Sequence, residues 1–133
     1  MPDIQQVAKA IADKYKIRIQ PYGAYSANLL GISEQVPAKV IFLTDGNHLR
    51  IKYGTQEIVF KRTTPKNMAT AGKLGGLVIQ ALRFLGKNRI DEKTLSVLRS
   101  RLTEADRKRL HHDLPYATGW IARIMKRLSS EKD

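Results

Sequence analysis

Hydrophobic positions along the chain change their period several times, and the changes mark out the elements. From Asp3 onward the apolar residues fall at Ile4, Val7, Ala8, Ala10 and Ile11, which is the spacing of one helical face with Asp3 placed as its N-cap. This predicts an amphipathic helix over residues 3–15. Lys16-Ile-Arg-Ile-Gln20 alternates and then meets Pro21, which predicts a short strand. Residues 22–31 read as a short helix, small or apolar at Ala24, Ala27 and Leu30 and stopped by Gly31.

The middle of the chain has strand character. Residues 38–44 are rich in β-formers, Asp45-Gly46 is a strong turn signal, residues 48–53 alternate, Gly54-Thr55 supplies a second turn, and residues 56–62 make a third strand. The two turns predict a meander of three antiparallel strands over 38–62. A polar connector, residues 63–72, follows, with a helical turn expected after Pro65.

Helical period then returns. Leu74, Leu77, Val78, Ala81, Leu82 and Leu85 share one face up to a stop at Gly86. Asp91 is placed to cap a helix carrying Leu95, Val97, Leu98 and Leu102, and Thr103-Glu-Ala-Asp106 resembles a capping box that opens a short helix to about Leu114. Ala117, Trp120, Ile121, Ile124, Met125 and Leu128 form the stripe of a last helix. The expected architecture is a single α+β domain over residues 1–133. A helix–strand–helix unit leads, the three-stranded antiparallel meander follows, and about four helices close the chain.

Composition narrows the class. At 133 residues and 42% hydrophobic the chain is long and apolar enough to bury one core. It has no cysteine, so no disulfide framework or cysteine-ligated zinc is available. The start, Met1-Pro-Asp-Ile4, lacks a basic and apolar leader, and no apolar run reaches the roughly 18 residues of a membrane span. A cytoplasmic location without membrane contact is the expectation.

Charge sharpens the picture more than any motif. Twenty-four Lys and Arg against twelve Asp and Glu give a formal net charge of +12. Residues 1–59 hold seven cations and five acids, whereas residues 60–133 hold seventeen and seven. A polyanion or an acidic protein is the partner class such a field attracts, and its surface is expected in the second half.

Catalytic patterns are thin. Gly-x-Ser-x-Gly, a Walker loop and Gly-x-Gly-x-x-Gly are all absent, and Gly72-Lys-Leu-Gly-Gly76 is better explained by close helix packing than by phosphate binding. His111 and His112 are helix neighbours about 100° apart and do not aim at one metal, while His48 stands alone on an expected strand. No catalytic residue, metal site or cofactor is expected. Asp45 and Glu57 are the pair to test for a cryptic magnesium-dependent nuclease, although Asp45 also has a plain role in its turn.

The basic residues are better organised. Lys61, Arg62, Lys66 and Asn67 surround Thr63, Thr64 and Pro65 at a strand end beside a helix start, a combination suited to anion contact. Arg99, Arg101, Arg107, Lys108 and Arg109 form a second group, and Arg123, Lys126 and Arg127 a third. Tyr22 and Tyr25, with Asn28, are the candidates for a partner-facing or structural ridge, and Trp120 belongs to the core.

Three stretches carry a family likeness: residues 22–39, Phe42-Leu-Thr-Asp-Gly46 and Arg62-Thr-Thr-Pro-Lys-Asn-Met68. As a set they resemble AbiEi-type antitoxin-like transcriptional regulators of type IV toxin–antitoxin, or abortive-infection, systems, over residues 3–128. The resemblance implies a two-part protein, with an N-terminal winged helix-turn-helix for operator DNA and a following α/β domain for antitoxin function or association. This chain matches the second part, and no helix-turn-helix precedes residue 3. The implied partner is a nucleotidyltransferase-like toxin. The resulting expectation is a non-enzymatic regulator domain that binds a protein partner or its own copy, with nucleic acid as an auxiliary ligand. The alternatives are the cryptic nuclease and a purely structural dimerisation domain.

Overall fold

The computed structural model of the protein describes residues 3–130, so the two ends of the expected domain, residues 1–2 and 131–133, lie outside the described residues. The fold is α+β, and the first element forms as its sequence requires. Helix α1 (Ile4–Tyr15) starts in a capping box, with the Asp3 carboxylate accepting from the Gln6 N–H at 2.8 Å and the Gln6 side chain accepting from the Asp3 N–H at 3.0 Å. It ends at Lys16, whose φ of 56° turns the chain into β1 (Ile19–Pro21). Because β1 is an edge strand, Pro21 is tolerated although it has no N–H to pair.

Helix α2 (Ala24–Leu29) is shorter than the expected 22–31, because Gly23 holds a φ of 61° as its N-cap. Its end is a Schellman motif. The Gly31 N–H donates to the Asn28 carbonyl at 3.0 Å and the Ile32 N–H to Ala27 at 3.1 Å, with Gly31 at φ 74°.

The sheet corrects the expected meander. Strands β2 (Lys39–Thr44), β3 (Leu49–Tyr53) and β4 (Gln56–Arg62) lie in the order β1-β2-β4-β3, with β2 and β4 parallel and the other two pairs antiparallel. Burial supplies the reason. Strand β2 buries Val40, Phe42, Leu43 and Thr44 and so suits the sheet interior, whereas β3 alternates between half-buried and exposed residues as an edge strand does.

Asp45-Gly46 is therefore not a hairpin turn. Gly46 lacks a positive φ, and a Cβ there would come within 2.5 Å of Ile17 Cγ2, so glycine serves close packing instead. The chain from residue 45 to 48 steps over the position that β4 later fills. Gly54-Thr55 does close a two-residue hairpin between Tyr53 and Gln56, with Gly54 at φ 63° in the glycine-first pattern of a type II′ turn.

Two apolar cores result. One face of the sheet offers Val40, Phe42, Ile58 and Phe60 to Ala8 of α1 and Tyr25 of α2. The other core is mainly helical and takes in Ala27 of α2 and Leu30 at its C-cap. Its remaining walls come from α4 (Leu74–Leu85), α5 (Glu92–Ser100), α6 (Glu104–Asp113) and α7 (Gly119–Ser129). Thus α2 is the shared wall between the cores. With the single-turn α3 (Pro65–Met68), the described residues after the sheet hold five α-helices and two 3-10 turns rather than the expected set of about four helices. The expected caps at Asp91 and Thr103 are both formed. Trp120 is half-buried against the helical core.

The glycine pair of α4 locks the helices together. Asp113, buried at the end of α6, accepts from the Gly75 N–H at 2.9 Å and so caps α4 with a carboxylate from another helix. A side chain at Gly75 would run into Asp113, and one at Gly76 would lie 2.5 Å from both the Thr70 carbonyl and Gln20 Oε1. Replacing a helix-interior glycine by alanine ordinarily stabilises by about 0.5–1 kcal/mol. Gly76→Ala is expected to do the opposite and cost about 1–3 kcal/mol by overpacking, read as a lower urea midpoint with unchanged slope.

Candidate anion-binding groove

Side chains alternate across a strand, so Ile41, Leu43 and Lys61 share the sheet face opposite to Phe42 and Phe60. On that face the sheet, the β1–α2 loop and α4 enclose a groove of about 590 Å³. Tyr22, Gly23 and Ala24 form one wall, Ile41, Leu43 and Lys61 the floor, and Gln80, Arg83 and Phe84 of α4 the other wall. Thr63 and Asn67 of the connector close one end.

The parallel pairing of β2 and β4 creates this assembly. It sets Leu43 beside Lys61 and Thr44 beside Arg62, and it continues in the Thr63 N–H donating to the Thr44 carbonyl at 3.0 Å. The connector thereby starts beside Thr44, whose β1 partner is Ile19, while the Tyr22 N–H that opens the β1–α2 loop donates to the Ile41 carbonyl at 3.0 Å. The Lys61 ammonium sits 5.6 Å from the centre of the Tyr22 ring, within cation–π range.

Of the four residues expected to contact anions, Lys61 and Asn67 line the groove and the other two do not. Arg62 lies on the opposite side of the strand, where its Nη1 donates to Asn47 Oδ1 at 3.3 Å. Lys66 lines a neighbouring hollow of about 240 Å³. The hydroxyls of the connector serve the fold: Thr63 Oγ1 accepts from Asn67 Nδ2 at 2.9 Å, and Thr64 Oγ1 accepts from the Asn67 N–H at 3.4 Å as the N-cap of α3.

The expected tyrosine ridge does not form, because Tyr22 precedes α2 and faces the groove while Tyr25 is turned into the core. Tyr25 is only 8% exposed and meets Phe42 edge-on at 5.3 Å. Burial, helped by the negative charge of Asp3, pushes its phenol up to about 12. Asn28 takes the structural role of its two alternatives, donating from Nδ2 to the Gln35 carbonyl at 3.0 Å and to the Ser33 carbonyl at 3.3 Å, which ties down the loop before β2.

Sequence reasoning missed Arg83 and Phe84. Both lie on the polar side of α4, and only the crossing of α4 over the sheet gives them a role. Their signal was a large aromatic outside the apolar stripe of α4, since Phe84 is 46% exposed.

The electrostatics of the groove are one-sided. Neither it nor the neighbouring hollow is lined by Asp or Glu, and among the described residues no carboxylate lies within 4.0 Å of Lys61, Lys66, Lys73 or Arg83. The other basic groups are partly neutralised. Arg127 pairs with Glu92 at 3.1 Å, Arg109 with Asp106 at 3.5 Å and Lys108 with Glu104 at 4.0 Å. Arg101 lies against Gly31, and the buried Nε atoms of Arg99 and Arg107 have no partner.

The nuclease pair is not brought together. Glu57 pairs with Lys39 at the start of β2 while Asp45 follows its end, so the two are about 20 Å apart along the strands at 3.3 Å per residue. Asp45 is also engaged, accepting from the Arg18 N–H at 2.9 Å and from Arg18 Nε at 3.2 Å, contacts that hold its carboxyl below the usual range. His48 is exposed in the loop before β3 rather than in a strand, and among the described residues no three His, Asp or Glu side chains cluster for a metal. No helix among them is long and apolar enough to cross a membrane.

The protein is thus an α+β domain with a basic, acid-free groove between the sheet and its first long C-terminal helix. The profile of DUF6088, a family of unknown function, matches residues 1–110, and the chain belongs to that family. The match covers the sheet, the groove and most of α6, and carries no link to antitoxin-like regulators. No curated protein and no solved structure matches the chain.

The raised phenol of Tyr25 gives a signed prediction. Its folded-state value lies above the unfolded one of 10, so the contribution is whole below pH 10 and is lost as pH rises toward about 12. Urea midpoints of the native protein and of Tyr25→Phe should therefore diverge between pH 9 and pH 11, with the native protein losing more. Equal losses would show that this phenol does not titrate as buried.

Proposed function

We propose that the chain is a non-enzymatic binding domain that takes an anionic partner in the groove between the open sheet face and α4. The observation that carries this reading is the convergence of Lys61, Arg83, Asn67 and Tyr22 in a groove without a carboxylate. Cations left without internal partners are available to an external anion at little cost in competing ion pairs.

In its wider form the reading is a domain of an antitoxin-like transcriptional regulator of a type IV toxin–antitoxin system. Its protein partner would be a nucleotidyltransferase-like toxin or a second copy of the chain, and nucleic acid an auxiliary ligand. What supports this is the sequence resemblance, together with where its three stretches fall. Tyr22 from the first, Leu43 from the second, and Thr63 and Asn67 from the third all line the groove. A nucleotidyltransferase encoded next to this chain would add independent support.

A titration with generic DNA and RNA at rising salt tests the anion reading. Each of Lys61→Ala and Arg83→Ala is expected to weaken binding at low salt and to reduce the slope of log K against log salt by about one. Arg62→Ala, on the other side of the sheet, is expected to leave the slope unchanged. Absence of binding at low salt, or binding indifferent to Lys61 and Arg83, would remove this reading.

A further inference from the structure

We propose that the groove is a track for single-stranded nucleic acid, with bases stacked on Tyr22, Phe84 and Tyr116. This rests on the anion-binding reading above and narrows it to one ligand class. The groove and the neighbouring hollow share Asn67, Gln80 and Arg83, so they form one continuous surface from Tyr22 to Tyr116.

The aromatic residues divide in a telling way. Tyr25, Tyr53, Phe42, Phe60 and Trp120 belong to the two cores, which leaves Tyr15, Tyr22, Phe84 and Tyr116 outside them. Three of those four line this one surface, and Phe84 and Tyr116 are 46% and 44% exposed.

Two of the three rings have a cation beside them, and Arg83 lines both hollows of the surface that carries the third. Lys61 lies 5.6 Å from the Tyr22 ring centre, Lys73 lies 5.6 Å from that of Tyr116, and Arg83 precedes Phe84 in α4. A ring with a neighbouring cation matches one nucleotide, the base on the ring face and the phosphate on the cation. The amides of Asn67 and Gln80 lie where the two hollows join.

The same features argue against the other polyanions. In a duplex the base faces are already stacked and cannot reach the rings. An acidic protein would satisfy the cations but offer the three rings no recurring planar partner.

The test is fluorescence anisotropy with labelled oligo(dA), oligo(dT) and the duplex they form, all of one length, with polyglutamate as competitor. Single strands are expected to bind more tightly than the duplex. Phe84→Ala and Tyr116→Ala should each weaken single-strand binding about fivefold or more, the lower end for loss of one base–ring stack. They should leave the salt slope and duplex binding unchanged, and Phe84→Trp should restore affinity.

Equal affinity for duplex and single strand, indifference to both aromatic variants, or equally effective displacement by polyglutamate would overturn the single-strand track while leaving the anion groove in place. No binding of any of these anions at low salt would remove both.

Discussion

Everything that distinguishes this molecule follows from the parallel pairing of β2 with β4. A strand buried on both faces needs a neighbour on each side, and β2 has β1 on one edge and β4 on the other. That pairing pushes β3 to the sheet edge and aligns the C-terminal ends of β2 and β4. Lys61 of β4, Tyr22 after β1 and Asn67 of the connector line one groove although up to 45 positions separate them in sequence. Had β3 lain between β2 and β4, Leu43 and Lys61 would not share a floor.

The second organising element is α2. Six residues long, it presents Tyr25 and Leu29 to the sheet core and Ala27, with Leu30 at its C-cap, to the helical core. Such a short helix has little stability of its own and is held by what it touches. Its Schellman end, the Asn28 bonds to the following loop and the guanidinium of Arg101 against Gly31 all fasten it. On the other side Gly75 and Gly76 let α4 approach Asp113, Thr70 and Gln20, and its Val78, Ile79, Ala81 and Leu82 pack into the helical core, so both set the far wall of the groove.

The positive charge takes on a different meaning once the ion pairs are placed. Lys108, Arg109 and Arg127 of α6 and α7 are matched to acids on the same or another helix, where exposed pairs contribute little stability and face solvent. Lys61 and Arg83 instead line a groove that holds no carboxylate. They are few, but they converge on one surface with aromatic rings, and convergence rather than total charge makes a binding site.

Local signals were legible in the chain without its fold. The Asp3 and Asp91 caps, the capping box at Thr103, the Gly31 and Gly86 stops and the Gly54-Thr55 hairpin depend on residues within a few positions of one another, and each formed where its pattern lay. Lys61, Asn67 and Tyr22 could be singled out one by one from residue type and position. Strand order could not, because a two-residue turn signal such as Asp45-Gly46 reads alike whether the next strand pairs at once or leaves a space for a later one. Competition for burial between β2 and β3, spread over the whole sheet, made that choice. Strand alternation, a local rule, turned Arg62 away from Lys61, whereas tertiary packing sent Tyr25 into the core and brought Arg83 and Phe84 of α4 to the groove.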